Sequence, residues 1–309
     1  MAARSRAGFV RCIVLAALSA QYLFASSAWL RLTTRHFDLY SSLNAKRSAA
    51  LFESLENARR ALELLQLAGP PAPSPLRVIA FGSSKEYAAF RLDRSSPGYY
   101  LHSPGRDYIV LAAGSLESTV PVVHEYVHYL LHRRYKHLPL WLDEGLAEFY
   151  STIEEKNGVV KVGLAPDAWL DSRPQKNLAC TLPALFGTEQ SPLAGGRQAA
   201  PNSRFYAQAW LLVHMLWLAP GYASRRENFL AAVEQGESPQ NALLRIYGKS
   251  LETVENDLAN YINASRFPMA IVSRSPVRPA EAFRNSVVDR TIARSVLADL
   301  LEALGRSAS

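Results

Sequence analysis

His124-Glu125-Tyr126-Val127-His128 is a run whose residue types and spacing can do chemistry. On a helix, residues four apart lie one above the other, so His124 and His128 present two imidazole nitrogens to one point. Glu125 sits beside them, placed to hold a water molecule and take its proton. Fifteen residues separate His128 from Glu144, within Trp141-Leu-Asp-Glu-Gly-Leu-Ala-Glu148. Two imidazoles and one carboxylate form a zinc ligand set. Zinc takes nitrogen and carboxylate oxygen at about 2.0–2.2 Å, and a catalytic site keeps a fourth position open. The chemistry expected is hydrolysis by an activated water, with His124, His128 and Glu144 holding Zn2+ and Glu125 as general base. The competing reading is a packed helix with two hydrogen-bonded histidines and a solvated Glu125. Glu144, arriving in a matching second helix, argues against it.

Two helices must position these groups. Ser118, Thr119 and Pro121 make a helix-start signal, and Val123, Val127, Leu130 and Leu131 supply an apolar stripe that carries the histidine pair. Leu138-Pro139 stops that helix, and Trp141 to Tyr150 reads as the next, Gly145 notwithstanding. Glu148, one turn beyond Glu144, is placed to accept a hydrogen bond from the far nitrogen of a ligating histidine, fixing its tautomer. The alternative is that it faces water. Asp143 is expected to cap the second helix rather than reach the metal. His132, beside Arg133, Arg134 and Lys136, reads as part of a basic, solvated helix end, and His214 as a packed residue on an apolar helix. His36, His102 and His137 have no ligand-spaced partner. There is no Gly-rich phosphate loop and no Gly-x-Ser-x-Gly turn.

His-Glu-x-x-His with a glutamate on the following helix, inside Trp-Leu-x-Glu-Gly-x-Ala, resembles the gluzincin zinc metallopeptidases. That group includes the zinc aminopeptidases and many bacterial peptidase-like domains, and the shorter spacer here is more similar to the latter. The aminopeptidases carry Asn where this chain has Asp143. The resemblance is specific over residues 118 to 150 and weaker over roughly 29 to 265. A second stretch, Arg204 to Leu216, is similar to the aminopeptidase segment whose Tyr points at the scissile carbonyl, and Tyr206 falls at that position. The resemblance implies that Tyr206 donates a hydrogen bond to the oxyanion as charge develops. The other reading of Tyr206 is an ordinary core residue. No Gly-x-Met-x-Asn amine-binding signature is present, so exopeptidase activity is not implied.

The amino terminus bears on compartment. Arg4, Arg6 and Arg11 precede an apolar stretch, Cys12 to Phe24, followed by Ala25-Ser26-Ser27-Ala28. That is the order of a secretory signal, so residues 1–28 are expected to direct export to a periplasmic or extracellular space. An uncleaved membrane anchor through residues 8–25 is the alternative. Cleavage near Ala28 would leave Cys180 as the only cysteine, excluding an intramolecular disulfide. Asn263-Ala-Ser265 fits a short glycosylation pattern. The formal charge of +7 would fall to +4 with the loss of three arginines and no acid. Basic residues are scattered rather than interleaved with aromatics, so no nucleic-acid partner is expected.

The fold class expected is α+β and zincin-like: a small, mostly antiparallel sheet packed on the active-site helix, then a largely helical half. Strands are read at His36 to Tyr40, Leu76 to Phe81 and Tyr108 to Ala112. A helix is read through Leu51, Leu55, Ala58, Leu62 and Leu65. In zincins a sheet edge beside the metal takes the substrate backbone as an added strand, and the resemblance makes Tyr108 to Ala112 the candidate. Gly195-Gly196 and Pro201 mark a loop that could rim the cleft. Helices are expected from Ala207 to about Ile262. Residues 29–265 would form the metallopeptidase domain and 266–309 a linker and helix. Ala293, Leu297, Leu300 and Leu304 of that helix resemble the start of a tetratricopeptide-like repeat, which would offer a surface to a protein partner; a lone capping helix is equally open. The functional expectation is a zinc peptidase acting on a peptide or protein. Alternatives from other classes are an inactive zincin-like peptide-binding or scaffold protein, and a zinc hydrolase of non-peptide amides.

Overall fold

Trp29, Arg31 and Thr33 point to one side of the first strand and Leu30 and Leu32 to the other, as the two-residue period of a strand requires. The computed structural model describes residues 28–67, 69, 72–92, 97–114, 118–156, 159–166, 180–188, 203–263, 267–273 and 282–306. Within these the protein is α+β, and it divides into two units. The expected signal or anchor, the Gly195-Gly196 and Pro201 loop and most of the glycosylation pattern lie outside the described residues. No described helix is long and apolar enough to cross a membrane.

The first unit draws on residues 1–52, 72–117 and 281–309. Its sheet runs in the order β4 (Gly98–Leu101), β5 (Tyr108–Leu111), β3 (Leu76–Ala80), β2 (Phe37–Ser41), β1 (Trp29–Thr33), β9 (Arg284–Val288). Antiparallel ladders join β1 to β2, β1 to β9 and β4 to β5, but β2, β3 and β5 at the centre run parallel. A parallel neighbour needs a crossover, and helix α1 (Ala45–Leu64) lies between β2 and β3 in the chain. One turn, α2 (Ser84–Tyr87), is capped by Ser83. Helix α10 (Arg290–Ala303) starts at Asp289, whose carboxylate accepts from the Thr291 amide at 2.7 Å.

Two expectations are corrected in this unit. Tyr108 to Ala112 is not a free edge: β5 is hydrogen-bonded to β3 on one side and β4 on the other. The edge belongs to Gly98-Tyr-Tyr-Leu101, where a side chain in place of Gly98 would meet the Val110 carbonyl at 2.9 Å, so glycine lets the strands approach. The carboxy-terminal segment is not a separate linker and helix either. β9 is a strand of the sheet, and Ala293, Val296, Leu297 and Leu300 of α10 are buried with Tyr40, Ile79 and Val110. Leu304 is partly buried against the same cluster. The stripe read as a stacking surface already covers this sheet.

The second unit comprises residues 53–71 and 118–280. It contains α3 (Val120–Arg134), α4 (Leu140–Ser151), α5 (Leu182–Phe186), α6 (Ser203–Leu218), α7 (Arg226–Glu234), α8 (Pro239–Tyr247) and α9 (Leu251–Ile262). A second, antiparallel sheet of order β6 (Glu154–Lys156), β7 (Val159–Val162), β8 (Ala270–Ser273) was not expected. Its strands are three or four residues long, too short for alternation to register. Every residue of α6 from Gln208 to Trp217 is buried, as expected of a helix apolar on all sides. Trp141 and Phe149 of α4, Trp210 of α6 and Phe229 of α7 are fully buried. The Trp141 ring lies 5.1 Å from that of Phe186 and 6.4 Å from that of Phe229.

Gly145 explains itself here. A β-carbon at this position would stand 2.6 Å from Val213 Cγ2 and 2.7 Å from the Ala209 carbonyl oxygen of α6. Glycine is therefore what allows α4 and α6 to touch backbone to backbone, and its helix cost is offset by that contact. Gly145→Ala should destabilise the protein by about 1–3 kcal/mol, the usual cost of overpacking. Urea unfolding measures this, and an unchanged midpoint would show that the helix pair yields without cost.

Candidate metal centre

Helices α3 and α4 bring the predicted ligands together. Pro121 occupies the first turn of α3, as read from the sequence, but Thr119 makes no side-chain cap; Ser118 Oγ instead accepts from the Val120 amide at 3.2 Å. Helix α4 is otherwise buried, and α3 is buried at Val122, Val123 and from Tyr126 to Leu131. Of the twelve residues of α4, Glu144 and Glu148 alone escape full burial, and on α3 His124 and Glu125 are half-buried neighbours of buried His128. The openings in the packing coincide with the groups that could do chemistry.

His128 Nε2 lies 3.0 Å from His124 Nε2, and Glu144 Oε2 lies 3.4 Å from each. Bonds of about 2.0–2.1 Å at tetrahedral angles place ligand atoms about 3.3–3.4 Å apart, so this triangle has the dimensions of three corners of a tetrahedral site. The buried Glu144 Oε2 has no hydrogen-bond partner. At 3.4 Å its approaches to the imidazoles are polar contacts rather than well-formed hydrogen bonds. Two ring nitrogens hydrogen-bonded to each other, with a buried and unpartnered carboxylate oxygen converging on them, form a set that a cation would satisfy.

Electrostatics agree. Burial works against charge on every member of the group, and neighbours overcome it. Burial would raise the Glu144 carboxyl, yet His128 and His124 hold it down at about 2. Burial would lower His124 and His128, but Glu144 raises the first and Asp143 with Glu144 raises the second well above the ordinary imidazole range. Glu125 also favours a positive charge on His124.

The far nitrogens each face a carboxylate, although His128 Nδ1 makes no well-formed hydrogen bond. Glu148, which is raised chiefly by burial, places Oε1 3.7 Å from His124 Nδ1. That distance is long for a direct bond. Sequence reasoning missed the closer partner. Asp143 is buried within α4, whose cap position is occupied by Pro139, so the capping expectation is corrected. Its Oδ2 lies 3.2 Å from His128 Nδ1 and 3.0 Å from His132 Nε2. The imidazoles keep its carboxyl well below the usual range against the pull of burial. His132 is thus not merely solvated: it shares Asp143 with His128. The signal available was its position, two helical turns after His124.

Tyr206 lies in the first turn of α6, half-buried, with its ring edge-on to Phe205 at 5.6 Å. Further along the same helix Gln208 holds Cys180, a free thiol, through its amide and carbonyl. A scan of the chain against family models and against curated proteins finds no match.

His214 is a packed residue, as expected. It is fully buried, donates from Nε2 to the Gly163 carbonyl at 2.9 Å and accepts at Nδ1 from the Tyr261 hydroxyl at 2.7 Å. Burial lowers its pKa to about 4. The unfolded chain therefore binds more protons than the folded one between about pH 4 and pH 6.5, and stability falls as pH drops through that window. His214→Gln should flatten that part of the stability–pH curve. Urea titrations at several pH values test it, and parallel curves would refute the assignment.

Proposed function

We propose that this protein is a zinc-dependent peptidase of gluzincin type on a zincin-like scaffold, exported by its amino-terminal segment or anchored through it. The ligand-atom triangle of His124, His128 and Glu144 is the observation that carries the reading. A zinc ion there would polarise the scissile carbonyl and lower the pKa of the attacking water. The side chains do the rest. Asp143 and Glu148 steady the imidazoles so that both Nε2 atoms face the triangle. Glu125 takes the proton of the attacking water and returns it to the leaving amine, a transfer that requires hydrogen-bond reach to both. Tyr206 donates to the oxyanion that forms at the carbonyl. The half-exposed flank formed by His124, Glu125, Glu144 and Glu148 admits the peptide.

About one zinc per chain is expected after dialysis, read by atomic emission, and His128→Ala should lose it because two ligands seldom suffice. Asp143→Asn, which keeps an acceptor for His128, should retain the fold and weaken zinc by about 10–100-fold in a chelator competition. Full retention in His128→Ala and Glu144→Ala alike would place the metal elsewhere.

Turnover is assigned by two further variants and a peptide-library screen. Glu125→Gln should keep zinc and lose about 10²–10⁴ in rate, since an amide cannot take the proton. Tyr206→Phe should keep zinc and lower kcat by about 10²–10³ with KM little changed, because its contact strengthens only as charge develops. Zinc bound with no peptide cleaved would favour a peptide-binding scaffold, and an unchanged kcat in Tyr206→Phe would return that residue to the core.

A further inference from the structure

The register of the six-stranded sheet lines up a second set of charged groups, in the first unit. Opposed residues of adjacent strands share a face. One row therefore reads Arg284, Thr33, Asp38, Arg77 and Tyr108, and the next Ser286, Arg31, Tyr40, Ile79 and Val110. Tyr40, Ile79 and Val110 belong to the core that α10 covers. Beyond Tyr40 the same face turns polar, and a cleft of about 630 Å³ opens there, lined by Arg31, Asp38, Arg77, Arg106 and Arg284 among others.

Asp38 is buried, and one guanidinium would neutralise it. It has three within 4 Å: Arg31 at 2.7 Å, Arg77 at 3.5 Å and Arg106 at 3.8 Å. Arg284 lines the cleft as a fourth. From α10, exposed Asp299 reaches Arg77 at 3.4 Å. Four cations against two carboxylates leave two positive charges in surplus. Two of those cations are already fixed, for Arg31 and Arg77 each stand 5.3 Å over the Tyr40 ring. Buried Arg77 Nε has no hydrogen-bond partner. The remaining lining is Thr33, Asn285, Ser286 and Pro75, so polar groups dominate.

We propose that this cleft binds a soluble small molecule through a phosphate group. Guanidinium forks match phosphate oxygens in pairs, and a phosphate near neutral pH carries about the −1.5 to −2 that the surplus calls for. The volume falls within the roughly 300–1,000 Å³ of small-molecule sites. A singly charged or apolar ligand would leave the surplus charge uncompensated.

Inorganic phosphate and glycerol phosphate are the probes, titrated calorimetrically into the full-length chain at fixed ionic strength against chloride. Saturable binding is expected for both, with a rise in Tm that chloride does not reproduce. The double variant Arg106→Gln/Arg284→Gln should bind about tenfold more weakly or worse. Those two positions are chosen because removing Arg31 or Arg77 would strand a buried carboxylate and risk the fold. Unaltered Tm of the double variant in chloride would confirm that it folds. Binding that survives intact in the variant would put phosphate elsewhere, the metal centre included, and overturn the assignment. So would binding only to phosphatidylcholine vesicles carrying phosphatidic acid, with no response to either soluble probe.

Discussion

Three imidazoles and two carboxylates meet at the seam between α3 and α4, and the cost of burying charge there governs the rest of the second unit. A lone buried carboxylate protonates and a lone buried imidazole stays neutral. Here each charge is kept by an opposite one: Glu144 faces His124 and His128, and Asp143 faces His128 and His132. Removing any one member would leave its partner buried without compensation, which is costlier than never having buried the pair. The group is therefore stable only as a whole, and the helices must hold it to within a few tenths of an ångström.

That precision comes from packing on the far side. Gly145 brings α4 onto α6, where Trp210 and the apolar residues about it leave no freedom to shift. Side chains mounted on packed helices keep their positions better than side chains on loops. Glu144 stands next to Gly145 in sequence, so the residue that fixes the helix-to-helix distance also fixes the third corner of the triangle. The glycine that weakens the helix signal in the sequence is what positions the site.

The long amphipathic helices and buried strands were legible, because their apolar periodicity extends over several turns or residues. The grouping of His124, His128 and Glu144 was legible too, since a four-residue spacing has one geometric meaning on a helix. What escaped shares a different property. β4, β6, β7 and β8 are three or four residues each and carry no period of their own. The edge position of β4, and the place of β9 beside β1, depend on pairings between segments up to some 250 residues apart, which no local pattern encodes. The cluster about Asp38 was invisible for the same reason: Arg31, Arg77 and Arg284 look scattered until the register brings them to one face, where Arg106 joins them from the loop before β5.

His132 shows the same limit at shorter range. Eight residues from His124, it drifts off the face of an ideal helix by about 80°, and on sequence grounds it belongs with the basic residues that follow. The partner helix removes the difficulty. His124, His128 and His132 climb α3 while Glu148, Glu144 and Asp143 descend α4, and the pairs close in opposite order along the two helices. An asparagine in place of Asp143, as the aminopeptidase likeness would have it, could accept one hydrogen bond from His128 without adding charge. A carboxylate there adds a negative charge deep in the protein, and His132 supplies the second donor that such a group needs. Asp143 and His132 thus make sense together: the buried carboxylate meets two imidazoles rather than one.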